Sequence, residues 1–295
     1  MIAIVVMVLT PLFFSTNLIF GRGVIGEVAP FTLAMIRWAA VALVLTPFVL
    51  LEWEKSRALM SGHPRFVLLL GFLGMWVCGG MVYFGLQQTT ATNGTLIYTT
   101  SSVFILLLDA AYNRRPITLR QAAGSALALC GVATIVFRGD PAAVLDLDFN
   151  IGDLIFVATS MCWAVYSLLL RSPRVTLPSD LALLSLTAAT GAVLLLPLAL
   201  WEYWAGAPMP TTPQAWRGIA GIVVFSSLFA FLGFQFGVRR LGASTAGVFM
   251  YLLPVYGVAM AVIFLGEEIH PYHLAGVVFV MGGVVIATVP KRTSR

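Results

Sequence analysis

The chain has 295 residues, of which 60% are hydrophobic and only 10% charged, with a net charge of +5 and a mean hydropathy of +0.96. A soluble domain carries about 25% charged residues, so the main solvent of this chain is lipid. Its basic residues are scattered through short loops instead of forming the clustered face that nucleic acid requires.

A bilayer core about 30 Å thick takes about 20 apolar helical residues per crossing. By that measure ten crossing helices are predicted, at Ile2–Gly21, Phe31–Leu51, Phe66–Leu86, Thr92–Tyr112, Leu119–Phe137, Ile151–Leu170, Leu181–Trp201, Trp216–Phe236, Ala243–Leu265 and Tyr272–Val289. The first lacks a basic lead and a convincing small-x-small cleavage site, so it reads as a retained helix and not a signal peptide. The intervals read as short loops, such as Asn113-Arg-Arg-Pro116 and Ser172-Pro-Arg174, none able to hold a soluble domain. Cys78, Cys130 and Cys162 lie inside apolar runs without metal-ligand spacing and read as small buried side chains.

Loop charge sets the orientation. With the N-terminus in the cytoplasm, thirteen Lys and Arg residues fall inside and three outside, with Arg37 left within the second segment. Both termini, including the 290–295 tail, are therefore expected in the cytoplasm.

The chain repeats itself. A shift of 152 lays residues 84–136 on 236–288 without a gap, with nine identities that include Gly124 on Gly276 and Gly131 on Gly283. A shift of 149 lays Phe14 on Trp163. The unit is five helices used twice, over 1–138 and 151–289. Five is odd, so the second copy crosses in the opposite sense. Gln87-Gln88 then faces out and its mate Arg239-Arg240 faces in. Inverted repeats of this kind build secondary transporters, whose substrate sites lie near the midplane between the halves.

These residues resemble a known family. The two five-helix repeats, the aromatic pair Phe14/Trp163, "MIRWAAVAL" around Arg37 and the ending "LGEEIHPYHLAGVVFVMGGVVIAT" are similar to the EamA family of the drug/metabolite transporter superfamily, and within it to the YddG-type exporters of aromatic amino acids. The resemblance implies an all-α basket in the bacterial inner membrane. The first, third, fourth, sixth, eighth and ninth helices would surround a central cavity, with the fifth and tenth at the periphery.

Candidate lining residues follow from helical spacing. Trp76 and Tyr83 share a face of the third helix with Gly80 and Gln87. Tyr98 and Ser102 do so on the fourth, with Thr95, and with Asn93 near its end. Phe14 and Asn17 pair on the first helix, opposite their mates Trp163 and Tyr166 on the sixth. Ser244 and Tyr251 form a stripe on the ninth, and Gln235 on the eighth is the mate of Tyr83. Buried Asn, Gln and Tyr are disfavoured in lipid and should point inward. Trp163 is expected to flank the cavity, so that its truncation costs transport more than stability.

Charge near midspan is scarce. Arg37 lies about two turns from the end of its helix and is expected to snorkel or to pair with Glu27. Asp109 is expected to pair with Arg114. A proton-coupled drug exporter would carry a midspan carboxylate, where the first helix offers only Asn17. The expected activity is therefore a facilitator for a neutral or zwitterionic solute, above all an amino acid with an aromatic or hydrophobic side chain. The alternatives are a proton-coupled exporter, a channel, or an intramembrane enzyme. For the enzyme the sequence shows no H-E-x-x-H, P-loop or complete G-x-S-x-G. No cofactor, no metal and no nucleic acid is expected, and the chain is read as a monomer.

Overall fold

The computed structural model of the protein describes residues 1–288 apart from 23, 25, 90, 141–149, 176, 266 and 267. The 290–295 tail lies outside the described residues, as do the side chains of Arg22 and Asn93. Among the described residues there is no strand. The helices are α1 (Ile2–Arg22), α2 (Pro30–Leu51), a short α3 (Trp53–Gly62), α4 (Pro64–Leu86), α5 (Ala91–Thr99 and Ser101–Asn113), α6 (Leu119–Val136), α7 (Ile151–Leu169), α8 (Asp180–Trp204), α9 (Pro213–Leu241), α10 (Ala243–Phe249, Met250–Leu252 and Leu253–Leu265) and α11 (Pro271–Thr288). Nine of them have the length and apolarity to cross a bilayer, and α1 adds a further apolar helix. Met1 marks what is called the terminal face below.

Local chemistry explains where the helices begin. Pro30, Pro64 and Pro213 occupy first-turn positions, where a missing N–H costs nothing. Thr118 with Gln121 and Asn150 with Asp153 form reciprocal capping boxes on α6 and α7. Ser179 and Thr212 cap α8 and α9. One interval departs from the expected loops. Trp53–Gly62 folds as α3, burying Ser56 and Leu59 while Trp53 and Met60 stay exposed. Its ten residues are too few to cross a bilayer, so the 20-residue ruler passes over it.

The repeat shows itself in geometry that the sequence does not display. Both copies carry a π-type stretch, Phe72–Met81 in α4 and Ile222–Phe229 in α9, at overlapping positions under the shift of 152. Both copies break their next helix at the same point, Thr100 in α5 and Met250–Leu252 in α10. A Cβ on Gly124 would lie 2.6 Å from the Gly283 carbonyl oxygen, and one on Gly131 would lie 2.7 Å from the Gly276 carbonyl oxygen. Each glycine thus packs on the mate of the other, the reciprocal contact that a two-fold axis between α6 and α11 produces. Close approach of two backbones needs small residues there.

Packing gives the basket. α1 lies against α9 and α10, and α7 lies against α4 and α5. These six enclose the centre. α2 and α8 run side by side on one flank, and α6 and α11 pair at the periphery.

Candidate substrate site

Arg37 organises the centre. It is 4% exposed and does not reach the surface. Its Nε donates to Ser227 Oγ at 2.6 Å, one Nη to the Tyr83 hydroxyl at 3.0 Å and the other to the Ser226 carbonyl at 3.3 Å. Tyr83 passes the chain on, donating to Asn17 Oδ1 at 3.1 Å. Ser227 is fixed by its own bond to the Ile222 carbonyl, five residues back along the π-type stretch of α9. Three helices therefore meet at one guanidinium, α2, α4 and α9, and Tyr83 links α1 to them through Asn17. Among the described residues no carboxylate pairs with it. The expectation of snorkelling or of a Glu27 partner is corrected here, because the Glu27 carboxylate accepts from the Thr212 hydroxyl instead. An isolated Arg near the end of an apolar run reads the same whether it points out or in. Only the serine and tyrosine acceptors on distant helices decide it.

An aromatic box adjoins this cation. The Arg37 guanidinium lies 4.6 Å over the Trp38 ring and 5.8 Å from that of Phe231. Trp163 meets Phe231 and Phe14 edge-on at 5.5 and 5.9 Å and Phe234 at a 34° tilt at 4.7 Å. Tyr98 and Tyr166 complete the box, 6.4 and 5.4 Å from Trp163. Trp163 is 1% exposed, whereas Phe14, Asn17 and Tyr98 remain partly accessible. The indole N–H groups of Trp38 and Trp163 are buried without an acceptor. With Arg37 they make the centre rich in donors and poor in acceptors. The expectation that truncating Trp163 would spare stability is also corrected, since a ring packed on five others leaves a cavity when removed.

The predicted residues divide into two groups. Phe14, Asn17, Tyr83, Tyr98, Trp163 and Tyr166 come together around Arg37, and the Tyr166 ring packs closely on Gly74 of α4. Trp76 leaves the shared face with Tyr83, because the π-type stretch rotates the intervening turn. It stacks instead on the exposed ring of Phe72 at 5.0 Å. Tyr251 turns towards Ser125 on α6 without closing a hydrogen bond. Gln235 donates to the Asp180 carbonyl at 3.1 Å, at the terminal end of α8. Sequence reasoning assigned Arg37 to the interface and missed Trp38, Ser226, Ser227, Phe231 and Phe234.

Ser102 and Ser244 belong to a closure. Ser102 donates to the Gly247 carbonyl at 2.8 Å, tying α5 to α10. Ser244 donates to the Asp109 carboxylate, which also lies 3.7 Å from Arg171 at the end of α7. Asp109 thus pairs with Arg171 and not with Arg114. Packing between α5 and α10 is concentrated in Ser101–Asn113 against Ala243–Phe249, the terminal halves of both helices. Beyond their breaks, Leu96–Tyr98 and Val255–Val258 are partly accessible. α5 and α10 are thus latched to each other at the terminal face and, among the described residues, lack comparable packing on one another beyond their breaks.

Ten apolar helices in two symmetric sets, with a polar and aromatic centre between them, define a membrane transporter of the inverted-repeat class. The chain belongs to the EamA-like transporter family, whose model matches residues 1–137 and again 150–289. It is 27% identical to the uncharacterized transporter YyaM of Bacillus subtilis over 92% of this chain and 90% of that one. It is 26% identical to a probable terminal-alkyne amino-acid exporter of Streptantibioticus cattleyicolor, over 75% of this chain and 71% of that one. An S-adenosylmethionine/S-adenosylhomocysteine transporter of Chlamydia trachomatis is 20% identical over 96% and 87% of the two chains. A solved crystal structure superposes with a TM-score of 0.80 at 20% identity, covering 97% of this chain and 96% of that one, and so shares the fold. The chain is a membrane transporter of small metabolites, not an enzyme.

Proposed function

We propose that this transporter exports aromatic and hydrophobic amino acids across the bacterial inner membrane by alternating access, as a facilitator. The observation that carries the reading is Arg37, buried beside the Trp163 box without a carboxylate partner among the described residues. A buried cation with no counter-charge is costly, and an arriving carboxylate supplies the missing charge and the missing acceptors. Guanidinium and carboxylate form strong bidentate pairs. The accessible rings of Tyr98 and Phe14, backed by Trp163, would then take the apolar side chain, and the negative face of a ring suits the ammonium. The positive-inside count supports a cytoplasmic terminal face, so that the substrate path would open to the outside. A monomer suffices, since both repeats lie in one chain. The relative named as an amino-acid exporter supports the substrate class.

The test is uptake into proteoliposomes of labelled phenylalanine and of phenethylamine, which keeps the ring and the ammonium but lacks the carboxylate. Phenylalanine should enter and phenethylamine should not. Equal entry of both would remove Arg37 as the carboxylate anchor, and entry of neither would remove the substrate class.

A further inference from the structure

We propose that the terminal face carries a binding site for one anionic phospholipid, in the groove between the start of α4 and the turn Pro173–Val175 that follows α7. The groove has a volume of about 460 Å³. His63, Arg65 and Arg174 stand on its rim and Phe66 and Leu69 form its floor. The Arg174 guanidinium lies 5.4 Å over the Phe66 ring, which holds the cation above an apolar surface.

Charge decides the occupant. Among the described residues neither Arg65 nor Arg174 is in an ion pair. Of the carboxylates of this face, Glu54 stands exposed on α3 and does not line the groove, and three others are engaged elsewhere. Asp109 is held by Arg171 and Ser244, Asp180 by Arg239 at 2.5 Å, and Glu52 by Ser179 and Lys55. Two arginines that line one groove without an ion pair among the described residues favour an anion between them. A diffusible phosphate could do so, but it would gain nothing from the floor. From Leu69 the apolar surface continues along α4 through Leu68 and Phe72, which are 47% and 39% exposed. A phospholipid matches both parts, with its phosphate between Arg65 and Arg174, the His63 ring within reach of the headgroup, and an acyl chain running down α4. Basic pockets beside crossing helices on the cytoplasmic side take acidic headgroups by this chemistry. The site stands apart from the Arg37 centre and does not depend on which solute is carried.

The experiment uses the purified full chain in a neutral detergent, titrated with phosphatidylglycerol or phosphatidylcholine. Retained lipid is counted by native mass spectrometry, with thermal denaturation as a second readout. Phosphatidylglycerol should bind at least tenfold more tightly than phosphatidylcholine. Each arginine should contribute about fivefold, so Arg65→Gln with Arg174→Gln should lose roughly 25-fold and Arg174→Gln alone about fivefold. Both side chains are exposed, and the single variant keeps the test open should the double one unfold. Arg115→Gln with Arg120→Gln, which neutralises the same charge on the same face outside the groove, should change binding less than twofold. Equal binding of the two lipids, or an equal loss in the control pair, would overturn the site. Displacement of phosphatidylglycerol by millimolar inorganic phosphate would reassign it to a free anion and overturn the lipid.

Discussion

Glu202 caps the first turn of α2, and Glu52, its mate at a shift of 150, caps the first turn of α8. The Glu202 carboxylate accepts from the amides of Phe31 and Thr32 at 3.0 and 2.7 Å and from the Thr32 hydroxyl at 2.8 Å. Glu52 accepts from the Ser179 amide at 2.9 Å. Each carboxylate meets orphan N–H groups at the positive end of a helix in the other repeat. Pro47 and Pro197 follow the same shift within the same helices. The two halves clasp one another twice by one rule.

Glu202→Ala should destabilise the protein more than Glu52→Ala. Glu202 is buried and leaves three donors without an acceptor, a loss of about 2–3 kcal/mol. Glu52 is partly solvated, and its loss should resemble that of an ordinary cap, about 1 kcal/mol. Thermal denaturation in detergent ranks them, and equal shifts would contradict the burial argument. Glu52 also sets an acid limit. The hydroxyl and amide of Ser179, opposed by partial burial and helped by Lys55, hold its carboxyl below the usual 4.5. A lowered carboxyl contributes stability above the unfolded value and loses it as pH falls through the folded one. Below pH 4.5 the melting temperature of Glu52→Gln should therefore fall less steeply than that of the parent.

Arg37→Met should abolish amino-acid transport while the melting temperature holds or rises. A buried charge without a partner is a cost to the fold, and an apolar replacement of similar length removes it. The hydrogen bonds to Tyr83 and Ser227 offset part of the gain. A variant that loses both stability and transport would make Arg37 a structural strut.

Trp163→Phe should stay folded and change which amino acids are carried, because it keeps a ring against Phe14 and Phe231. Trp163→Ala should cost about 3–5 kcal/mol and deplete the folded protein. Uptake of tryptophan, phenylalanine and leucine normalised to folded protein separates the two variants. An unchanged preference in Trp163→Phe would mean that the ring only fills space.

Asp109→Cys with Ser244→Cys, in a background with Cys78, Cys130 and Cys162 replaced, should form a disulfide across the latch. Oxidation should stop transport and reduction should restore it, measured on the same vesicles. Undiminished transport by the oxidised protein would show that α5 and α10 need not part at this face.

The crossing helices were legible because bilayer thickness fixes their length, and the two-fold pairing was half legible in the matched spacing of Gly124 and Gly131. The π-type stretches were not. The first of them packs against partners such as Tyr166 on Gly74 and Trp38 on Gly79, contacts between residues far apart in the chain. Those stretches then decide the site, turning Trp76 away and presenting Ser227 to Arg37. Aromatic spacing led to Phe14, Tyr98 and Trp163. Nothing in "MIRWAAVAL" distinguishes a buried arginine from an interfacial one.

Counterflow tests alternating access at the Arg37 centre most directly. Vesicles holding the purified chain are loaded with unlabelled phenylalanine, diluted into labelled phenylalanine, and followed with no pH gradient imposed. Transient accumulation of label above its external level, lost in Arg37→Met, is the expected result. Equilibration without overshoot would indicate a channel, and accumulation only under an imposed proton gradient would contradict the facilitator.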